Sequence, residues 1–139
     1  TLALTFGNRG AAYQFLGDYQ LAVNDFNQAI RLDPEQIGVY SNRGAAYSSL
    51  GQHQQAVNDY DRAIARNPGV ARTYNNRGGA YFNLGDFQRA VDDFGRAIQL
   101  EPGYASAYQN RGLAYTELGE SSKAEADQAK ACSLDSQRC

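Results

Sequence analysis

Apolar residues return along this chain at the spacing of a helix face. Ala22, Val23, Phe26, Ala29 and Ile30 follow i, i+3, i+4, i+7. Before them, Phe6, Gly10 and Tyr13 also fall at helical intervals. Gly17 stands between the two stretches, where a helix stops with a positive φ. Pro34 follows the second stretch and blocks its continuation. The pattern predicts two helices of about 12 to 14 residues joined by a short turn. Gly10 and Ala22 are small enough to let the two approach closely. A unit of this size cannot bury its own apolar faces, so stacking on further units must supply the core.

The further units are present. Four segments align without gaps at a spacing of about 34 residues. Phe6-Gly-Asn-Arg-Gly-Ala-Ala-Tyr13 recurs as Tyr40–Tyr47, Tyr74–Tyr81 and Tyr108–Tyr115. Leu-Gly follows each, at Leu16-Gly17, Leu50-Gly51, Leu84-Gly85 and Leu118-Gly119. Ala22, Ala56, Ala90 and Ala124 come next, then Ala29, Ala63, Ala97 and Ala131. Pro34, Pro68 and Pro102 close three units, and Ser136 stands in that place in the fourth.

In order and spacing this series resembles the tetratricopeptide repeat (TPR) family over nearly the whole chain. The resemblance implies an all-α, right-handed α-solenoid of eight antiparallel helices in four stacked pairs, with no strand. The expected organisation is a single domain, 1–139, with repeats at about 3–36, 37–70, 71–104 and 105–138. In this family the first helix of each repeat lines a concave groove. The positions that correspond are Gly7, Asn8, Ala11 and Gln14, then Ser41, Asn42, Ala45 and Ser48. The later repeats supply Asn75, Asn76, Gly79 and Phe82, then Gln109, Asn110, Leu113 and Thr116.

Asn8, Asn42, Asn76 and Asn110 thus recur once per repeat. A side-chain amide both donates and accepts, so it can pair with a peptide backbone of any sequence. A similar asparagine ladder is known in O-linked N-acetylglucosamine transferases, although asparagine is also common here in idealised repeats. Arg72 would add a point of polarity, for example toward a carboxylate. These five residues are the expected peptide-binding set. Some family members clamp acidic chaperone tails with Lys, Asn, Asn, Lys and Arg. The matching positions are Gly7, Ala11, Asn42, Arg72 and Asn76, of which only Asn42 and Arg72 fit.

Arg9, Arg43, Arg77 and Arg111 replace the leucine usual in the family, and Asp25, Asp59, Asp93 and Asp127 recur as strictly in the second helices. Antiparallel pairing predicts an Arg–Asp contact inside each repeat, which takes these arginines away from ligands.

The charge balance, 13 basic against 15 acidic residues, excludes a nucleic-acid face built on surplus Lys and Arg. No stretch approaches the roughly 18 apolar residues of a membrane span, and no signal peptide is visible. The chain starts at Thr1 and has no methionine, so a processed piece with residues upstream of Thr1 is expected. A cytoplasmic setting is favoured. The one histidine, His53, takes the place of Tyr19 and Phe87 and reads as an aromatic stand-in, not a zinc ligand. Acidic pairs such as Asp92-Asp93 read as solvated faces, and Arg77-Gly78-Gly79 as repeat geometry, not a phosphate loop. No enzymatic activity, cofactor or metal is expected. Cys132 and Cys139 on one continuous helix would stand about 10 Å apart, beyond the reach of a disulfide, so no bridge is expected within one chain.

The two ends of the array differ. Tyr19, Val23 and Phe26, with their counterparts His53, Val57, Tyr60, Phe87, Val91 and Phe94, should pack on the following repeat. In the fourth repeat they become Ser121, Glu125 and Gln128, a polar face suited to a natural end. At the front, Leu2, Phe15 and Leu16 leave an apolar cluster, so upstream residues or another molecule should cover it, self-association included. The expected function is a protein–protein interaction scaffold holding an extended peptide or chain terminus of a partner. The alternatives are a structural or self-assembling spacer without a groove ligand, and a regulatory fragment of a larger protein.

Overall fold

The computed structural model describes residues 1–139 and contains eight α-helices and no strand. They are α1 (Leu2–Leu16), α2 (Tyr19–Leu32), α3 (Ile37–Ser49), α4 (His53–Arg66), α5 (Ala71–Asn83), α6 (Phe87–Leu100), α7 (Ala105–Glu117) and α8 (Ser121–Leu134), followed by a 3-10 turn at Ser136–Arg138. The all-α helix-turn-helix repeat expected from the sequence is the observed fold. The chain forms two compact units, Thr1–Pro68 and Gly69–Cys139.

In the first unit α2 packs between α1 and α3, and α4 packs on α3. Its core joins Ala22, Val23, Phe26 and Ala29 of α2 to Val39 and Ala46 of α3, with Phe6, Tyr13, Ile30, Tyr47 and Leu50 packed around them. Burying a side chain such as Phe26 contributes about 1.5–3 kcal/mol, more than any single turn or cap. In the second unit α6 packs between α5 and α7, and α8 packs on α7. There Ala90, Val91 and Phe94 of α6 meet Ala114 of α7, flanked by Tyr81, Phe82 and Tyr115. In both units the apolar face of a second helix packs on the following repeat, as expected. Ser121, Glu125 and Gln128 of α8 are exposed.

Turn chemistry sets the helix ends. Gly17 adopts φ 85°, and its counterparts Gly51, Gly85 and Gly119 adopt 76°, 80° and 75°. That left-handed residue lets the Asp18 N–H reach back to the Tyr13 carbonyl at 2.9 Å, satisfying an end group of α1. The second helices end two residues before each proline. Asp33, Asn67 and Glu101 are extended there, with φ of −147°, −140° and −135°, because the proline ring disfavours helical backbone before it.

Asp135 takes the same extended shape, φ −147°, although Ser136 and not proline follows. The Asp33 carboxylate accepts from Glu35 N–H, and Asp135 accepts from Gln137 N–H in the same way. This turn corrects the expectation about the cysteines. Helix α8 ends at Leu134, the 3-10 turn doubles back, and Cys132 and Cys139 come within 4.6 Å between Cα atoms as a disulfide. The error lay in extending the helix through Asp135.

So short a loop confines the denatured chain less than a long one would, and the bridge ties down only the end of α8 and the turn after it. Cys132→Ser with Cys139→Ser should lower hydrogen-exchange protection in the last turn of α8 and at Ser136–Arg138 and leave α5–α7 protected. Loss of protection spreading through α7 would contradict this.

Candidate peptide-binding faces

The four Arg–Asp pairs form as expected. Each arginine donates through Nε and Nη2 to both oxygens of one carboxylate. The shorter bond measures 2.6 Å for Arg9–Asp25, 2.6 Å for Arg43–Asp59, 2.8 Å for Arg77–Asp93 and 2.7 Å for Arg111–Asp127. All four aspartates are buried. The Arg43 side chain is 17% exposed and that of Arg9 56%. Burial pulls the Arg43 guanidinium down, but the hydrogen bond and charge of Asp59 outweigh it and hold it above its ordinary range. Arg111 is raised by its hydrogen bond to Asp127, against burial.

Every ladder arginine also lies between two rings of its own helix, at i−3 and i+4. Arg43 stands 5.7 Å from the Tyr40 ring and 5.6 Å from that of Tyr47. Phe6 and Tyr13, Tyr74 and Tyr81, and Tyr108 and Tyr115 flank the other three. The aromatic cradle was in the sequence as a spacing: residues three and four apart share a helix face, and a ring face attracts a guanidinium. Carboxylate and rings together commit these guanidiniums to the fold.

Of the expected peptide-binding residues, Asn8 on α1 is exposed and Asn42 on α3 half-buried, both in the first unit. Asn76 and Asn110 are half-buried on α5 and α7 of the second unit, where Arg72 is exposed on the first turn of α5. No side-chain hydrogen bond ties down Asn8, Asn42 or Asn76. Asn110 differs: its Nδ2 donates to Asn75 Oδ1 at 3.2 Å. Asn75 in turn hydrogen-bonds the Tyr104 hydroxyl. Tyr104 is pushed above its ordinary range by burial and by the Glu101 charge, opposed by Arg72 and by that bond. A polar chain therefore joins Asn110, Asn75 and Tyr104, with Arg72 close enough to bias it. Tyr104 lies in the turn before α7, outside any first-helix pattern, and only the folded chain reveals it.

Beside this chain the second unit has an open cleft of about 190 Å³, lined by Gly79, Phe82, Asn83, Phe94, Asn110 and Leu113. Four of these, Gly79, Phe82, Asn110 and Leu113, are positions that the family resemblance assigned to the groove. Leu113 is exposed at the rim, while Phe94 is buried at the floor. The arrangement offers an apolar recess with two amides, Asn83 and Asn110, in its lining.

Two other clefts, of about 220 and 300 Å³, lie in the first unit and share Tyr40 and Arg62. They contain none of the expected residues. The first is walled by the Glu35–Arg66 ion pair, which holds the Glu35 carboxyl below its ordinary range. His53 is half-buried at the start of α4, with Nδ1 unpartnered. At the matching place in the second unit Phe87 packs edge-on against Phe82, ring centres 5.2 Å apart. No cluster of His, Cys, Asp and Glu side chains suited to a metal ion forms, and no helix is long and apolar enough to cross a membrane.

A family model described as tetratricopeptide repeat matches residues 3–36, 38–70 and 71–104, and a second model of the same description matches 105–138. The chain belongs to the tetratricopeptide repeat family and is a protein-interaction scaffold in its general class. Among solved structures, a crystal structure of MamA is 27% identical and covers 98% of this chain and 74% of its own, with TM-score 0.90. TTC0263, a thermophilic TPR protein in Thermus thermophilus, is 26% identical over 96% of this chain and 75% of its own, with TM-score 0.82. A MamA fragment from Desulfovibrio magneticus RS-1 is 24% identical over 97% of this chain and 76% of its own, with TM-score 0.92, and bears on the fold alone. No curated protein matches the chain.

Proposed function

We propose that the chain holds an extended segment or terminus of a partner protein against the first helices of its repeats. Asn8 and Asn42 would serve in the first unit, and Asn76, Asn110 and Arg72 in the second. The cleft lined by Gly79, Phe82, Asn110 and Leu113 is the observation that carries this reading. An apolar side chain of the peptide would enter it while Asn110 and Asn76 pair with the peptide backbone. Arg72, exposed and outside the ladder, would meet a carboxylate. Pocket burial of one side chain and a charge-assisted bond suit a moderate affinity. The test is a peptide array followed by titration calorimetry on the tightest sequence. Asn76→Ala with Asn110→Ala should weaken binding at least about tenfold, near 1.4 kcal/mol. Binding that survives loss of both amides and of Arg72 would rule this site out.

A second reading has its own observation. Leu2, Leu4, Phe15 and Leu16 are all exposed on α1, Phe15 at 91%. Large apolar side chains open to water offer a contact surface, and self-association through this end is the reading they support. Sedimentation velocity across a concentration series tests it. On compartment, the sequence favours the cytoplasm, while the Cys132–Cys139 bridge favours an oxidising environment.

A further inference from the structure

The two clefts of the first unit lie on a side of α3 that carries none of the expected binding residues. Tyr40, Arg43 and Tyr47 share that side, and Asn42 and Ala45 stand at least about 100° away around the helix. The smaller cleft, of about 220 Å³, has apolar walls in Pro34, Ile37 and Ala65. The larger, of about 300 Å³, is lined by Ile30 of α2 and by Gln55 and Asn58 of α4. Tyr40 and Arg62 line both. The Tyr40 side chain is buried, and the Arg62 guanidinium lies over its ring, 5.6 Å from the centre.

Charge singles out Arg62. In the smaller cleft Arg66 is paired with Glu35, and in the larger Arg43 is paired with Asp59. Arg62 is the one charge left over in each. It is exposed and makes no ion pair and no hydrogen bond. Arg9, Arg31, Arg43 and Arg66, the other arginines of this unit, all have a bonded side-chain partner. The sequence gives the reason, since the residue one turn before Arg62, at i−4, is the neutral Asn58. The counterpart in the second unit, Arg96, also lies over a tyrosine ring, Tyr74, at 5.9 Å, but it has Asp92 at i−4 and donates to Gln99. Asn58 accepts from Gln54 through Oδ1 at 3.1 Å, which leaves its amide N–H groups for a carbonyl.

We propose that this side of the first unit is a second peptide site, for an acidic segment of a partner protein. The segment is short and extended, with one Asp or Glu and an apolar residue close to it. Its carboxylate pairs with Arg62 through two parallel bonds, the fork geometry that a guanidinium offers. The contact with the Tyr40 ring uses the charge of Arg62 and no directed hydrogen bond, so the N–H donors stay available. The apolar side chain enters the cleft walled by Pro34, Ile37 and Ala65. On the other side of Arg62, Asn58 donates to a backbone carbonyl of the segment. The same surplus charge repels a basic segment. The site shares no residue with the first-helix reading above and stands independently of it.

The test is fluorescence polarisation with a library of short labelled peptides, each carrying one Glu and one Leu at varied spacing. The controls carry Gln or Lys in place of the Glu, or Ala in place of the Leu. The Glu–Leu peptides should bind the full chain, and the Gln forms should bind at least about tenfold more weakly. The Ala forms should also bind more weakly, and the Lys forms should not bind. For the tightest peptide, Arg62→Gln should weaken binding at least about tenfold and leave the helical circular dichroism unchanged. Arg62→Lys should restore part of the loss, because it keeps the charge and loses the fork. Ala65→Phe, which fills the smaller cleft, should weaken binding too. Arg96→Gln, and Asn76→Ala with Asn110→Ala, should leave it unchanged. Equal binding of Glu and Gln peptides, or an affinity unmoved by Arg62→Gln, overturns the proposal. Binding that is kept in Arg62→Gln and lost in Asn76→Ala with Asn110→Ala overturns it while supporting the first-helix site.

Discussion

Asp59→Ala is expected to lower the unfolding free energy by about 3–5 kcal/mol. The carboxylate is buried, accepts two bonds from Arg43, and leaves that guanidinium between Tyr40 and Tyr47 when it is removed. Arg43 also donates to Asn27 at 2.7 Å, so it cannot swing to water without losing a further bond. A single-domain protein is stable by only about 5–15 kcal/mol, so this one carboxylate decides a large share. The loss belongs mainly to the stranded charge and not to the pair as such. Replacing both partners, Arg43→Leu with Asp59→Leu, should therefore recover much of it. Asp25→Ala should cost less, because Arg9 is more than half exposed and water can take over its donors. Urea titrations of the three variants give the order. A cost below about 1 kcal/mol for Asp59→Ala would mark the pair as solvated in effect.

The ladder could be read from sequence because it obeys the repeat. Arg9 and Asp25 are 16 residues apart, as is each later pair, and antiparallel neighbours turn that constant interval into a contact. The polar face of α8 was legible for the same reason, as a departure from Val23, Val57 and Val91. What failed was local extrapolation. Asp135 bends the chain without the proline that signals the bend at Asp33, so the Cys132–Cys139 bridge was missed. The Asn110–Asn75–Tyr104 chain was hidden differently. Asn110 and Asn75 lie on successive first helices, one repeat plus one residue apart, and Tyr104 sits in a turn. Periodicity reports which face a residue takes, not which of two adjacent asparagines its neighbour will bind. Asn110 consequently reaches the candidate site already half-engaged, unlike Asn76.

Gly78→Ala is expected to destabilise the chain by about 2 kcal/mol, against the helix propensity of alanine. Propensity alone favours alanine over glycine by up to about 1 kcal/mol in a helix interior. Here the added Cβ would lie 2.7 Å from Cε1 of Phe94, a ring only 1% exposed and held between α5 and α7. Overpacking of this kind costs about 1–3 kcal/mol. Gly10→Ala should behave alike, its Cβ meeting Phe26 at 2.7 Å. The next residue along α5 gives the opposite sign. A Cβ on Gly79 meets nothing within 4 Å, so Gly79→Ala should gain stability by about 0.5–1 kcal/mol. Its methyl would stand in the cleft with Phe82, Asn110 and Leu113. Thermal melts of the two adjacent variants should therefore move in opposite directions. If the cleft receives a peptide side chain, the more stable Gly79→Ala protein should also be the weaker binder. Equal and stabilising shifts for both glycines would mean that the Phe94 ring relaxes freely and that the close helix approach is not what fixes glycine at position 78.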